Sequence, residues 1–409
     1  MAKTKIITGL DIGTYSIKAL AASQNLDTGA LEVLGKVEAP SFGTRRAVVV
    51  KVDEVAKHIG EALDQLQQAI SRRIEDVNVN IGGSHLFCTS SHGTVIVSRA
   101  DQKISKEDVS RVIQAAESIP LASNKEILEV FPKDFMVDGA PIKEPLDMHG
   151  LRLEVDILAL GGFSPYLKNL TTAVLNAGFQ VADTVPSILA SAQAVLTSSQ
   201  KELGVCLLDI GGGTTDLAVY EEGDLVHTAV FPIGSERITH DLAVGLKTDV
   251  EIAEKIKQEF GSCLSKGSNK KEKIEIPRES GNSEILTFPN KMLVKIIEAR
   301  VSEIFHLAEK ELKTLSLKGL LPAGVVLTGG GAKLPKIVEL AKKELKLPVR
   351  IGVPQILEGQ ERDPSFSTCF GLVLLAQEGG ILDGAASGHP GPKQGVGGIM
   401  KKVLKIFIP

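Results

Sequence analysis

The sequence predicts an α/β fold of two similar lobes, and three glycine turns predict it. Asp11-Ile12-Gly13-Thr14-Tyr15-Ser16 and Asp209-Ile210-Gly211-Gly212-Gly213-Thr214-Thr215 stand about half the chain apart. Each ends an apolar run on an acid, turns through small and hydroxyl residues, and enters a second apolar run. That is the pattern of a β-hairpin with a small-residue tip. The third turn is Val325-Val326-Leu327-Thr328-Gly329-Gly330-Gly331, again a short apolar strand running into glycines. Glycine at a tip lets backbone N–H groups approach an anion closely, and a row of such groups forms a phosphate nest. A strand-end carboxylate beside the nest can hold the water shell of Mg²⁺, the cation a polyphosphate usually carries.

The elements follow in order. After the first hairpin, residues 31–37 and 47–50 read as strands. Residues 53–70 read as an amphipathic helix, with Val55, Ile59, Leu63, Leu66 and Ile70 on one face. Residues 76–81 form a strand that ends at Gly82-Gly83. From 84 to 162 the character changes, as in an inserted subdomain. Strand-like runs at 86–89, 94–97, 127–131 and 151–160 surround one helix that Ser105 caps with Asp108 at the third position. Helices are expected at 165–177 and 187–197, with a strand near Val181 between them. After the second hairpin, Thr248-Asp249-Val250-Glu251 reads as a capping box for a helix to about Phe260. Residues 267–282 are polar and lysine-rich, as in a loop. A long helix at 292–313 turns Leu293, Ile296, Ile297, Ile304 and Leu307 inward. The third glycine turn precedes a helix near 336–345, and 365–376 is the last apolar helix of the body. Residues 379–395 have linker composition.

The bulk numbers fit a soluble globular chain. Its 409 residues suggest two to four domains, and 43% hydrophobic with 23% charged residues is ordinary. A net charge of −4 argues against a nucleic-acid partner held by bulk electrostatics. Four scattered cysteines and eight histidines show neither disulfide nor zinc spacing, which fits a reducing cytoplasm. The N-terminus runs into the first strand too soon for a signal peptide, and no apolar stretch is long enough to span a membrane. The last fourteen residues are different. At 100° per residue Ile399, Met400, Val403, Leu404, Ile406 and Phe407 share one arc and Lys401, Lys402 and Lys405 the other. Such a basic amphipathic helix lies in the interface of an anionic membrane.

With all three turns in place the chain resembles the actin/Hsp70/sugar-kinase nucleotide-binding superfamily, the hairpins matching its two phosphate loops and residues 325–331 its adenosine loop. Within that group it resembles the bacterial division actins of the FtsA family over nearly its whole length. Residues 105–112, 126–132 and 150–154 resemble that family's inserted 1C subdomain of SHS2 type, and 202–220 is close to its second phosphate loop. The resemblance implies an actin-like two-lobed fold with subdomains 1A (1–83 and 163–196), 1C (84–162), 2A (197–233 and 308–378) and 2B (234–307), then a linker (379–395) and a membrane-targeting amphipathic helix (396–409).

It also implies ATP and Mg²⁺ as ligands. Asp11 and Asp209 would hold the Mg²⁺ waters. Gly13, Thr14, Tyr15, Lys18, Gly211, Gly212, Gly213 and Thr214 would meet the phosphates, and Glu254 and Lys257 the ribose and adenine. Gly329, Gly330 and Gly331 would close the other wall. The water-orienting position before the second phosphate loop falls on Ser187, too short for the task, so hydrolysis is expected to be slow at most. The family further implies filaments of the chain itself and contact between the 2B helix (Lys291, Lys295, Arg300) and the C-terminal peptide of the tubulin-like FtsZ. It implies later division proteins as partners and a peripheral place on the inner face of the cell membrane at the septum. A metabolic kinase would need a carboxylate base beside the γ-phosphate beyond Asp11 and Asp209, and none is visible. An Hsp70 would need a large domain after residue 380. A pilus-assembly relative would usually lack the basic amphipathic tail.

Overall fold

The computed structural model describes residues 3–264, 273–277, 285–315, 321–354 and 362–380. Two five-stranded sheets share one topology. In the first, Leu31–Pro40, Ser16–Asn25, Thr4–Ile12, Asp76–Ile81 and Gln180–Pro186 lie side by side in that order. In the second, Asp224–Phe231, Thr215–Glu221, Val205–Ile210, Val325–Thr328 and Val349–Ile351 repeat it. Each sheet is an antiparallel hairpin with a third antiparallel strand on one side and two parallel strands on the other. The strand ahead of Gly329 is thus the counterpart of the strand ahead of Gly82-Gly83.

Each lobe has its own core. The helix Val52–Ile70 buries Val55, Ile59, Leu63 and Leu66 on the first sheet, while Ile70 stays half-exposed at the helix end. The long helix Asn290–Thr314 buries Leu293, Ile297, Val301, Ile304 and Phe305 in the second lobe's core, with Ile296 and Leu307 at its margin. A third core joins the lobes. Ile188, Ala192 and Val195 of the helix Ser187–Val195 and Phe366, Cys369, Phe370 and Val373 of the closing segment pack among Leu20, Leu207, Ala218 and Val326 of the two sheets. Full burial of aliphatic side chains of this size contributes about 1.5–3 kcal/mol each.

Gly371 sets how closely those two helices cross, because a Cβ there would collide with the Ala190 carbonyl. The closing helix Ser367–Gly380, assigned by the sequence reading to the second lobe, rests on Thr4–Ile12 and Ser16–Asn25 of the first sheet as well as on Ser187–Val195. Its apolarity all round suits a position enclosed on several sides.

The inserted unit is a four-stranded antiparallel sheet, in the order Phe87–Ile96, Arg152–Phe163, Lys125–Val137 and Ala140–Ile142, covered by the helix Lys106–Glu117. The runs at 86–89 and 94–97 are one strand. Its polar middle, Ser90-Ser91-His92-Gly93, stays paired with the neighbouring strand. Gly93 faces the helix, where a Cβ would sit 2.6 Å from the Ala116 nitrogen. The Ser105 capping box forms on both sides. Burial favours the protonated form of Asp108, but hydrogen bonds from Ser105, Arg111 and Ser98 hold its carboxyl well below the usual range.

Four other expectations change. The helix Val250–Phe260 begins after Asp249 with no side-chain cap, so the N-cap falls one residue past Thr248, whose N–H closes the preceding helix onto Ala243 at 3.0 Å. Within the expected loop at 267–282, Lys273–Pro277 pairs with Ile285–Pro289, driven by Ile274 and Phe288, both buried. At 47–50 only Thr44–Arg45 and Val48–Val49 pair, in a tight turn with Arg46 and Ala47 at φ 49° and 59°. The closing helix continues to Gly380, two residues into the expected linker, and the rest of that linker and the residues 396–409 lie outside the described residues.

Overpacking the helix crossing should loosen both lobes together. Gly371→Val is expected to cost about 1–3 kcal/mol and to lower the thermal midpoint in one cooperative transition. An unchanged midpoint by calorimetry would show that the crossing is not tight.

Candidate functional site

The two hairpin tips face each other across a cleft of about 620 Å³, a usual size for a small-molecule site. Every residue that the sequence placed around the phosphates and base lines it. Asp11, Gly13, Thr14, Tyr15, Lys18 and Ser187 come from the first lobe, and Asp209, Gly211, Gly212, Gly213 and Thr214 from the second hairpin. Glu254, Lys257, Gly329, Gly330 and Gly331 form the opposite wall. The tips touch: a Cβ on Gly212 would sit 3.0 Å from that of Tyr15, and one on Gly213 would sit 2.5 Å from the Thr14 hydroxyl. The Thr14 hydroxyl accepts from the Ala47 N–H at 2.8 Å, so the turn after the third strand braces the first tip. Tyr15 is 55% exposed at the mouth, where Gln258 Nε2 donates to its hydroxyl at 3.4 Å.

The floor of the cleft carries too much negative charge for its depth. Asp11 pairs across its hairpin with Lys18, but Asp209 pairs across the other with Asp216. Like charges directly opposite are destabilising. Burial, opposed by Lys18 and reinforced by Asp209, pushes Asp11 up to about 6. Burial raises Asp209 too, against a hydrogen bond from Ser191. Asp216, buried and close to Asp209, is pushed up to about 8, and its Oδ1 has no hydrogen-bond partner. Lys18 is no surface lysine, for its side chain is only 12% exposed, with Ser16 Oγ at 2.8 Å and Glu38 at 3.5 Å. One lysine against three buried aspartates leaves room for a cation. Among the described residues no three His, Cys, Asp or Glu side chains could hold a metal directly. The geometry therefore fits a cation held through its waters, and the orphaned Asp216 oxygen is the feature such a shell would satisfy.

Positioning of the aspartates depends on Asn80 and Ser191, to which the sequence pattern assigns no role, and on Ser187 in a supporting role. Asn80 donates to Asp11 Oδ1 at 2.7 Å and to Ser187 Oγ at 3.0 Å, while its own oxygen accepts the Ile12 N–H at 2.7 Å. Ser187 in turn donates to the Ile81 carbonyl at 3.1 Å. One helical turn on, Ser191 donates to Asp209 Oδ2 at 2.5 Å and meets Thr368 at 3.0 Å. A single helix thus reaches Asp209 directly through Ser191 and Asp11 by way of Asn80 through Ser187, two serines four residues apart. Two signals were visible in the sequence. Asn78 and Asn80 alternate in an otherwise apolar strand, and Ser187 and Ser191 share a helix face.

On the other wall, Glu254 and Lys257 form a buried network. Lys257, only 9% exposed, lies 2.7 Å from Glu254 and donates to Thr239 at 2.9 Å and to the Ser235 carbonyl at 3.3 Å. Thr239 and Gln258 also donate to Glu254. Burial would raise Glu254, but Lys257 and these donors hold it below its ordinary value. On this helix Ile256 is buried in the core and Ile252 packs at its margin. Ala253, Ile256 and Lys257 are buried, and Phe260 is half-exposed because the helix turns its ion pair inward.

The glycines of the third turn serve different ends. Gly329 has φ 83° and a Cβ there would strike Asp209 Oδ1. At Gly331 it would strike Ile210. At Gly330 the nearest atom is Ser365 Cβ at 4.0 Å, so the space over this residue is left open for a ligand.

The three cations chosen for partner binding do not act alike. Lys291 and Lys295 are exposed on the helix Asn290–Thr314. Arg300 is paired: its Nε lies 2.6 Å and its Nη2 3.1 Å from the two Asp241 oxygens, with Glu303 on Nη1. It ties the long helix to the helix Ser235–Leu246.

Known proteins resemble this chain along its length. The family model for cell division protein FtsA matches residues 206–371, and that for the SHS2 domain inserted in FtsA matches residues 83–160. Cell division protein FtsA of Pseudomonas aeruginosa is 38% identical over 374 residues, covering 90% of this chain and 89% of that protein. The Bacillus subtilis protein is 34% identical, covering 97% and 89%, and that of Escherichia coli K12 is 31% identical, covering 98% and 96%. Among solved structures, the PilM–PilN type IV pilus biogenesis complex superposes with a TM-score of 0.64 at 16% identity, covering 91% of this chain and 98% of that one. MreB5 of Spiroplasma citri bound to ADP gives 0.56 at 14%, covering 94% and 99%. The fold is therefore actin-like with an SHS2 insert, and the chain belongs to the FtsA family of cell division proteins.

Proposed function

We propose that the chain binds ATP with Mg²⁺ in the cleft, assembles into filaments, and tethers the FtsZ ring to the inner face of the cytoplasmic membrane during division, where it recruits later division proteins. The observation that carries the nucleotide reading is the pair of aspartate-ended hairpins facing each other over an uncompensated cluster of buried carboxylates. Asp11 and Asp209, with Asp216 behind them, would hold the waters of the Mg²⁺, which supplies charge neutralisation to the β- and γ-phosphates when bound. The tip N–H groups of Gly13, Gly211, Gly212 and Gly213 would meet the phosphates, the hydroxyls of Thr14 and Thr214 would orient them, and Lys18 would add positive charge. Glu254 and Lys257 would take the ribose and base, with Gly330 lying against the base. Slow hydrolysis is supported by Ser187, whose hydroxyl is committed to Asn80 and the Ile81 carbonyl.

Self-assembly is supported by exposed apolar side chains at one end of the insert: Ile96 at 74%, Leu151 at 58% and Met148 at 38%. An acidic, partly apolar peptide such as the C-terminal tail of FtsZ suits the surface where exposed Lys291 and Lys295 adjoin exposed Met292 and Val244. Attachment to anionic lipid rests on the tail at residues 396–409, which lies outside the described residues. Among the described residues no helix is long and apolar enough to cross a membrane.

Titration calorimetry should show Mg²⁺-dependent ATP binding that Asp11→Ala or Gly212→Asp abolishes. The carboxylates must ionise to hold the cation, so affinity should rise as pH increases through about 6, where Asp11 ionises. Turnover should stay well below one per second, and several per second at saturating ATP would remove the argument from Ser187.

Lys291→Glu with Lys295→Glu should weaken an FtsZ tail peptide by about tenfold, roughly 1.4 kcal/mol, with the loss greatest at low salt. Arg300→Glu is a poorer probe, because it breaks the Asp241 pair and strains the fold as well.

Vesicle co-sedimentation tests the tail and the assembly together. Deleting residues 396–409 should release the protein from anionic vesicles while leaving ATP affinity intact, and Phe407→Glu should nearly match it. One short helix binds weakly, so the intact chain should sediment better with ATP, when filaments present many tails. Deleting residues 84–162 should remove that ATP dependence.

A further inference from the structure

Away from the cleft, three titratable side chains from three separate elements meet where the insert touches the second lobe. Cys88 lies on Phe87–Ile96 of the insert, His227 on Asp224–Phe231 at the edge of the second sheet, and Glu311 on the long helix. His227 Nε2 is 2.8 Å from Glu311 Oε1. Cys88 Sγ is 3.5 Å from His227 Nδ1 and 3.2 Å from the Thr228 carbonyl oxygen. The carboxylate of Glu311 fixes the proton on Nε2, which leaves the Nδ1 lone pair facing the thiol. Nucleophile, base and orienting acid therefore stand in the order that activates a thiol.

The other cysteines differ. Cys206, Cys263 and Cys369 are buried, whereas Cys88 is partly exposed. Burial pushes Cys206 and Cys263 up to about 12 and Cys369 well above its ordinary value. Burial acts on Cys88 in the same sense, but its contacts with His227 and Thr228 outweigh it and bring the thiol below the ordinary range. His227 moves the opposite way: burial lowers it, and Cys88 and Glu311 together raise it.

We propose that Cys88 is a reactive thiol, served by His227 as base and Glu311 as its orienting acid, that takes up oxygen from a peroxide at the joint between insert and second lobe. The thiol proton passes to His227 Nδ1, and the thiolate attacks one peroxide oxygen. The O–O bond breaks as the S–O bond forms, and the departing hydroxide takes the proton from His227 to leave water. Cys88 is oxidised to the sulfenic acid and the peroxide is reduced. The new oxygen enters the contact between Sγ and the Thr228 carbonyl, so the modification separates Phe87–Ile96 from Asp224–Phe231. Peroxide would thereby loosen the insert without touching the cleft.

Iodoacetamide labelling of the full chain between pH 5 and 9, read by peptide mass spectrometry, tests the activation, and hydrogen peroxide with dimedone trapping tests the chemistry. Cys88 should alkylate with a midpoint below about 8.5, the value of a simple thiol, and should be the cysteine that dimedone traps. His227→Gln should slow its labelling at pH 7 by about tenfold and move the midpoint up. A Cys88 that labels like a simple thiol, that does not label, or that labels at the same rate in His227→Gln would overturn the proposal. If that variant does not fold, the midpoint in the unaltered chain decides by itself.

Discussion

Three carboxylates buried at the bottom of one cleft are the constraint on which the rest of the structure depends. Asp11, Asp209 and Asp216 cannot all be ionised there without compensation, and among the described residues Lys18 is the cation that pairs across the hairpin from Asp11. A buried charge persists only where it is hydrogen-bonded or paired. The surrounding sequence reads as the answer to that demand. Asn80 and Ser191 fix one oxygen of Asp11 and one of Asp209, and Ser187 holds Asn80 in place. Asp216 is left with one buried oxygen that no protein group partners.

That arrangement is possible because one strand order occurs twice. Duplicate sheets bring two strand ends to the same height on either side of the cleft, and a shared core of two crossed helices keeps them there. The copies differ where it matters. The cross-strand partner of the strand-end aspartate is a lysine in the first hairpin and a second aspartate in the other. The helix Ser187–Val195, packed in the core shared by the two sheets, bonds Asp209 through Ser191 and supports Asn80, which bonds Asp11, through Ser187 one turn away.

Ion pairs elsewhere follow burial rather than sequence spacing. Glu254 and Lys257 have the i, i+3 separation of an exposed surface pair, worth only a few tenths of a kcal/mol. Thr239 and Ser235 instead enclose them against the cleft wall. Arg300 shows the converse: a cation on a long amphipathic helix that reads as a docking charge is neutralised by Asp241 of a neighbouring helix. Exposed Lys291 and Lys295 remain available on the same helix.

The sequence by itself determined the elements whose cause is local. Small-residue tips after strand-end acids dictate hairpins, Ser105 and Asp108 cap their own helix, and period-3.6 stripes bury Val55 to Leu66 and Leu293 to Ile304. The recurrence of an acid before two glycine turns marked Asp11, Asp209 and the hairpin tips as facing one cleft, while Glu254 and Lys257 were implied only by the family resemblance. What it could not reach depended on which elements meet in space. Asn80 and Ser191 are ordinary polar residues until the fold sets them beside a buried aspartate. Thr248 ends the preceding helix and the next one starts after Asp249, and the strand Lys273–Pro277 pairs with Ile285–Pro289. The closing helix is apolar all round, and an apolar helix carries no mark of which lobe it will join. Only the tertiary structure, which packs it on Thr4–Ile12 and Ser16–Asn25 of the first sheet, decided that.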